Sequence, residues 1–123
     1  MPRSFTKHFY IGGRLSDGQN YTDIVNPATE EAIGAIDTAK VSDAEAALTA
    51  AAEAFGPWAA TPAEERAGWM RKLRQAVIDN EEHVRECVHL EMAKPWAGTF
   101  EDYEALINSL EFYADEILKL EPE

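Results

Sequence analysis

The chain has 123 residues, about the size of one small domain, and 46% of them are hydrophobic. That share excludes intrinsic disorder as the default interpretation. With 23 acidic and 11 basic residues the net charge is -12, and such a surface repels phosphate backbones and anionic lipid headgroups. We therefore expect neither a nucleic-acid nor a membrane partner.

Cysteine usage and hydropathy indicate the compartment. The single cysteine, Cys87, excludes an intrachain disulfide and fits a reducing environment. No apolar stretch approaches the ~20 residues that cross a bilayer. The first ten residues, Met1 to Tyr10, contain no apolar core typical of a secretory signal. These features predict a soluble cytoplasmic protein.

Turn and strand signals are concentrated in residues 1–40. Gly12-Gly13 is a strong hairpin signal. Asn26-Pro27 ends a later strand, because proline cannot donate to a ladder and restricts the residue before it. The predicted strands cover residues 9–11, a return strand from Arg14, residues 21–25 and residues 32–39, with a second turn at residues 16–20. A meander this small needs something to lie against.

Helical signals begin at Ser42, an N-cap residue with Glu45 three positions later as a capping box. Gly56-Pro57 is expected to end this first helix. Thr61 is expected to cap a second helix, with Pro62 at its first helical position.

The second helix should run to about Met92 and kink within the polar residues 79–82. Thr99 and Asp102 then form the capping signal of a third helix. Its predicted apolar stripe is Tyr103, Leu106, Ile107, Leu110, Tyr113, Ala114 and Ile117.

These elements define an α+β fold that is mostly helical. A short N-terminal β-hairpin and antiparallel meander (residues 1–40) precedes three α-helices (residues 41–123). We expect residues 1–123 to form a single truncated domain.

Catalytic and metal-ligating residue types are sparse. Cys87, the only candidate thiol nucleophile, lies in the middle of a predicted helix beside Glu86, which disfavours a thiolate, so a packed, inert cysteine is the better interpretation. His83 and His89 are six residues apart and point to different faces of their helix, and His8 is far away, so a metal site is not expected. Gly12-Gly13 lacks the spacing of a phosphate cradle.

Several motifs, in their order along the chain, resemble the N-terminal region of the aldehyde dehydrogenase superfamily. They are residues 9–13 (FYIGG), residues 25–34 (VNPATEEAIG), residues 41–55, Trp58, residues 61–66 (TPAEER), residues 91–95 (EMAKP) and residues 110–114 (LEFYA). Glu30 and Ala93 stand where the family commonly has glycine. The resemblance covers about residues 9 to 120 but only a minor part of the family's length.

The resemblance implies a partial aldehyde dehydrogenase fold from an enzyme that oxidises aldehydes with NAD or NADP. In the family, a cysteine thiolate attacks the aldehyde and a glutamate base assists hydrolysis of the thioester. Those residues and the dinucleotide site lie downstream of the matched region. We therefore expect no catalytic residue and no cofactor site in this chain.

The resemblance also implies a candidate cation site. Some family members bind a monovalent cation through an acidic side chain at the position of Asp102 and through the backbone carbonyls of Ile24 and Val25. The alternative is that Asp102 only helps to cap the third helix.

Two interpretations of the whole chain remain open. It is an inactive N-terminal fragment of such an enzyme, or a stand-alone helical interaction protein that reuses the fold. Both leave apolar helix faces exposed, so we expect a homo-oligomer.

Overall fold

The computed structural model describes residues 5–15 and 20–120. Two compact units divide the chain, Met1–Ala60 and Thr61–Glu123. The mostly helical α+β fold class is confirmed. The single-domain assignment stays a prediction, and residues 16–19 of the second predicted turn lie outside the described residues.

The first unit contains a hairpin built on a pair of glycines. Strand β2 (Tyr10–Ile11) pairs antiparallel with β3 (Arg14–Leu15). Gly12 and Gly13 have φ values of 56° and 85°, and two positive φ values in a two-residue loop match the twist of the flanking strands. The predicted hairpin is confirmed.

The same unit contains a sheet of strand order β1-β5-β4, from β1 (Phe5–Lys7), β4 (Tyr21–Val25) and β5 (Ala32–Asp37). β4 and β5 pair antiparallel, as predicted, but β1 pairs parallel to β5. The meander prediction therefore missed one strand and its direction. The central strand β5 carries two buried residues on one face, Ile33 and Asp37.

The turn between β4 and β5 follows from Asn26-Pro27. The Asn26 side-chain oxygen accepts the Ala28 amide at 2.8 Å, and the Asn26 carbonyl accepts the Glu30 amide at 2.8 Å. The Asn26 amide donates to the Glu31 carbonyl at 3.0 Å. Glu30 thereby adopts φ 60°, a left-handed conformation that favours glycine.

Helix α1 (Val41–Ala59) begins and ends at other residues than predicted. The Lys40 amide donates to the Asp43 carboxylate at 2.7 Å, so Asp43 and not Glu45 caps the first turn. The helix also continues past Gly56-Pro57, because the proline lies in the last turn, where one missing amide disturbs little. No residue of α1 is buried.

The second unit contains a break of one residue, Asn80, where one long helix was predicted. Helix α2 (Ala63–Asp79) ends and α3 (Glu81–Met92) begins at Asn80. The Asn80 side-chain amide donates to the Ala76 carbonyl at 2.8 Å. The backbone carbonyl of Asn80 accepts a hydrogen bond from the Val84 amide at 3.0 Å. Asn80 serves both helix ends, so the predicted kink is a complete break, and residues 5–15 and 20–120 contain four α-helices.

Helix α4 (Thr99–Glu116) follows a 3-10 turn, Trp96–Gly98. The N-cap residue of α4 is Gly98, whereas Thr99 was predicted to cap this helix. Pro62, with ψ 147°, is the N-cap residue of α2, whereas it was predicted to be the first residue inside that helix. Along the predicted stripe of α4, Tyr103 and Ala114 are buried, while Leu106 and Tyr113 are exposed. The core of this unit also takes Ala67 of α2.

Candidate functional site

Cys87 lies in the interior of α3 and is half-buried. Its Sγ atom lies 3.9 Å from Nε2 of His83, one helical turn away. Activated cysteines typically lie at helix N-termini or beside cationic groups. Glu86 precedes Cys87, and α3 begins six residues earlier at Glu81, so Cys87 lies away from the helix N-terminus and beside an acidic residue as well as His83.

The three histidines lie in two different units of the chain. His89 lies on α3 with its Nδ1 atom 2.6 Å from the Lys94 carbonyl, so Nδ1 donates there. His8, in the other unit, makes an edge contact with the ring of Tyr21. Within residues 5–15 and 20–120, no group of three or more His, Cys, Asp or Glu side chains is arranged to hold a metal ion.

The three residues of the candidate cation site lie in different elements. Ile24 and Val25 belong to β4, where the pairing with β5 is irregular between the two residues. Asp102 lies in the first turn of α4, and its Oδ2 atom accepts a hydrogen bond from Lys94 Nζ at 2.6 Å. This ion pair partly neutralises the carboxylate that the cation would use. The cation site stays a prediction.

Two loops of the first unit differ from a phosphate-binding loop. Phosphate cradles lead from a strand into a helix N-terminus through glycines. Gly12-Gly13 instead joins two antiparallel strands. The connection from β5 to α1 is Thr38-Ala39-Lys40, and the Asp43 carboxylate occupies the first turn that a phosphate would approach.

A corner around Arg85 was not predicted from the sequence. The Arg85 side chain, 16% exposed, places its guanidinium 4.6 Å from the Trp96 ring centroid and 5.5 Å from that of Phe100. It donates to Thr99 Oγ1 at 3.1 Å, to the Trp96 carbonyl at 3.3 Å and to Glu81 at 2.8 Å. The Glu81–Arg85 spacing was the only sequence signal of this cluster.

An exposed ion-pair cluster joins α2 to α4. Arg71 contacts Glu111 and Asp115, and Arg74 contacts Glu111 while donating to the Ile107 carbonyl at 3.2 Å. Hydrogen bonds to Glu111 and then Asp115 raise the pKa of the Arg71 guanidinium. Because these groups are paired with one another, the cluster holds two helices together and offers no free group for chemistry.

Comparison with known proteins identifies the class to which this fold belongs. The model of the aldehyde dehydrogenase family matches residues 15–123. The chain therefore belongs to the aldehyde dehydrogenase family, and it corresponds to an N-terminal segment of it. The family uses NAD or NADP.

Particular relatives show how much of the family the chain represents. The 3,6-anhydro-alpha-L-galactose dehydrogenase of Vibrio sp. (strain EJY3) is 30% identical over 108 residues, which are 86% of this chain and 22% of the relative. The crystal structure of lactaldehyde dehydrogenase from Escherichia coli superposes with a TM-score of 0.88 at 28% identity, covering 96% of this chain and 25% of that one. The structure of 3,6-anhydro-L-galactose dehydrogenase in complex with NAP superposes with a TM-score of 0.83 at 32% identity. The match covers 90% of this chain and 24% of that one. The chain thus spans about a quarter of the length of these relatives or less.

Two departures from the family motifs coincide with backbone strain. Among the described residues, Glu30 and Ala93 are the non-glycine residues with positive φ, 60° and 53°. Both stand where the resemblance places a family glycine. Ala93 forms the left-handed C-cap of α3, the position at which helices usually end in glycine. At both sites this chain adopts left-handed backbone without glycine, the residue that adopts it at least cost.

No helix within the described residues combines the length and apolarity that crossing a membrane requires.

Proposed function

We propose that this chain forms structural N-terminal elements of an NAD(P)-dependent aldehyde dehydrogenase that oxidises an aldehyde to a carboxylic acid, and that it supplies none of the reacting groups. The observation that carries the proposal is the family match over residues 15–123 together with the position of Cys87 in the interior of α3. We further propose that the protein acts in the cytoplasm, since one cysteine and no disulfide suit a reducing compartment.

The chemistry of the reaction supports the proposal that the chain supplies none of the reacting groups. Attack on an aldehyde needs a thiolate, and hydride transfer needs a dinucleotide bound beside it. Cys87 has an acidic neighbour and lies more than a turn from the start of its helix. The Gly12-Gly13 turn cannot cradle a pyrophosphate for the geometric reason given above. A relative solved with NAP supports a nicotinamide cofactor for the longer family enzyme.

The test is an assay of the purified 123-residue chain with lactaldehyde and either NAD or NADP, monitored by the absorbance of the reduced cofactor. E. coli lactaldehyde dehydrogenase in the same buffer is the positive control. We expect no turnover by the chain and no difference on Cys87→Ala. Turnover that Cys87→Ala abolishes would show a catalytic site in α3 and overturn the proposal.

We also propose self-association of the 123-residue chain, which is the basis of the alternative function as a helical interaction protein. The supporting observation is an apolar stripe along α1 formed by Val41, Leu48, Phe55 and Trp58, all exposed. Leu48 and Phe55 are 73% and 71% exposed. Covering such a surface is favourable by roughly 25 cal/mol per Å². A second copy is the simplest cover when the chain is alone.

Solution mass as a function of concentration tests self-association. We expect a mass above 13.7 kDa that falls on dilution and rises with salt, because salt screens the repulsion between copies of charge -12. Leu48→Glu should shift the protein to monomer. Ala46→Glu adds the same charge to the opposite face of α1 and should not. A monomer at every concentration refutes self-association but leaves the activity proposal untouched.

A further inference from the structure

We draw no further inference here: the strongest candidate, the exposed apolar stripe of Val41, Leu48, Phe55 and Trp58 on α1, already belongs to the surface invoked above, and nothing in the described part of the chain shows what covers it.

Discussion

The two compact units use helices in different ways. In the unit from Thr61 onward, α2 and α4 bury Ala67, Tyr103 and Ala114 and are joined by ion pairs. In the unit before it, α1 is the longest helix, yet it buries no residue. Helical sequence signals are strong in both. The difference teaches that a clear amphipathic pattern predicts a helix but does not say how far its apolar side chains are buried within its own unit.

The largest effects are expected where a side chain fills the core of the second unit. Tyr103→Ala should lower the free energy of unfolding by about 3 kcal/mol, because a 5% exposed ring leaves a cavity. Tyr113→Ala on the same helix and Phe55→Ala on α1 remove exposed rings and should each cost less than about 0.5 kcal/mol. Urea unfolding followed by circular dichroism at low protein concentration measures all three. An equal loss for Phe55→Ala would abolish the distinction between the units.

A smaller effect is expected at the Arg85 corner. Arg85→Met should cost about 2 kcal/mol, because it removes three hydrogen bonds from a charged group and leaves Thr99 without that donor. Arg85→Lys should recover little of the loss, since a compact ammonium group lacks the planar fork that stacks on Trp96 while its edges donate to the three acceptors.

Arg71→Met is the matched control for Arg85, because it removes a guanidinium of the same unit from exposed ion pairs only. It should shift the urea midpoint less than Arg85→Met does. If Arg85→Lys behaves as the parent chain does, charge alone maintains the corner and the stacking argument is wrong.

The smallest effects are expected at the two left-handed residues, one in each unit. Ala93→Gly and Glu30→Gly should each raise the free energy of unfolding by about 1 kcal/mol, because glycine adopts positive φ without a Cβ clash. Ala105→Gly and Ala51→Gly lie inside α4 and α1 and should instead lower it by about 1 kcal/mol. Thermal unfolding resolves the sign. A destabilising Ala93→Gly would mean that its methyl group makes contacts worth more than the strain.

Local signals predicted the elements better than their ends. Gly12-Gly13 specified its hairpin, because two positive φ values leave few other structures available. The capping box of α1 was assigned to Ser42 and Glu45 although Lys40 and Asp43 form it, since both pairs have the same spacing and only the backbone distinguishes them. Asn80 ended α2 through a side-chain bond to Ala76 that periodicity does not reveal.

Contacts between residues distant in the sequence could not be predicted from local patterns. The parallel pairing of β1 with β5 joins segments almost thirty residues apart, from Phe5 to Gly34, and no local pattern reports it. Lys94 and Asp102 were each noticed in a family motif or a cap, but their ion pair depends on the turn at Trp96–Gly98. By contrast, the sequence itself showed that residues 30 and 93 are not the glycines that the family commonly has there. The structure adds that both residues adopt left-handed backbone.

The absence of buried residues in α1 has a consequence for how the chain responds to heat. A helix with no buried side chain is maintained largely by the intrinsic preference of its residues, and such helices lose order gradually from their ends. The alanine-rich α1 should therefore fray over a wide temperature range, while α2 and α4, which share a core, lose their structure together over a narrow one.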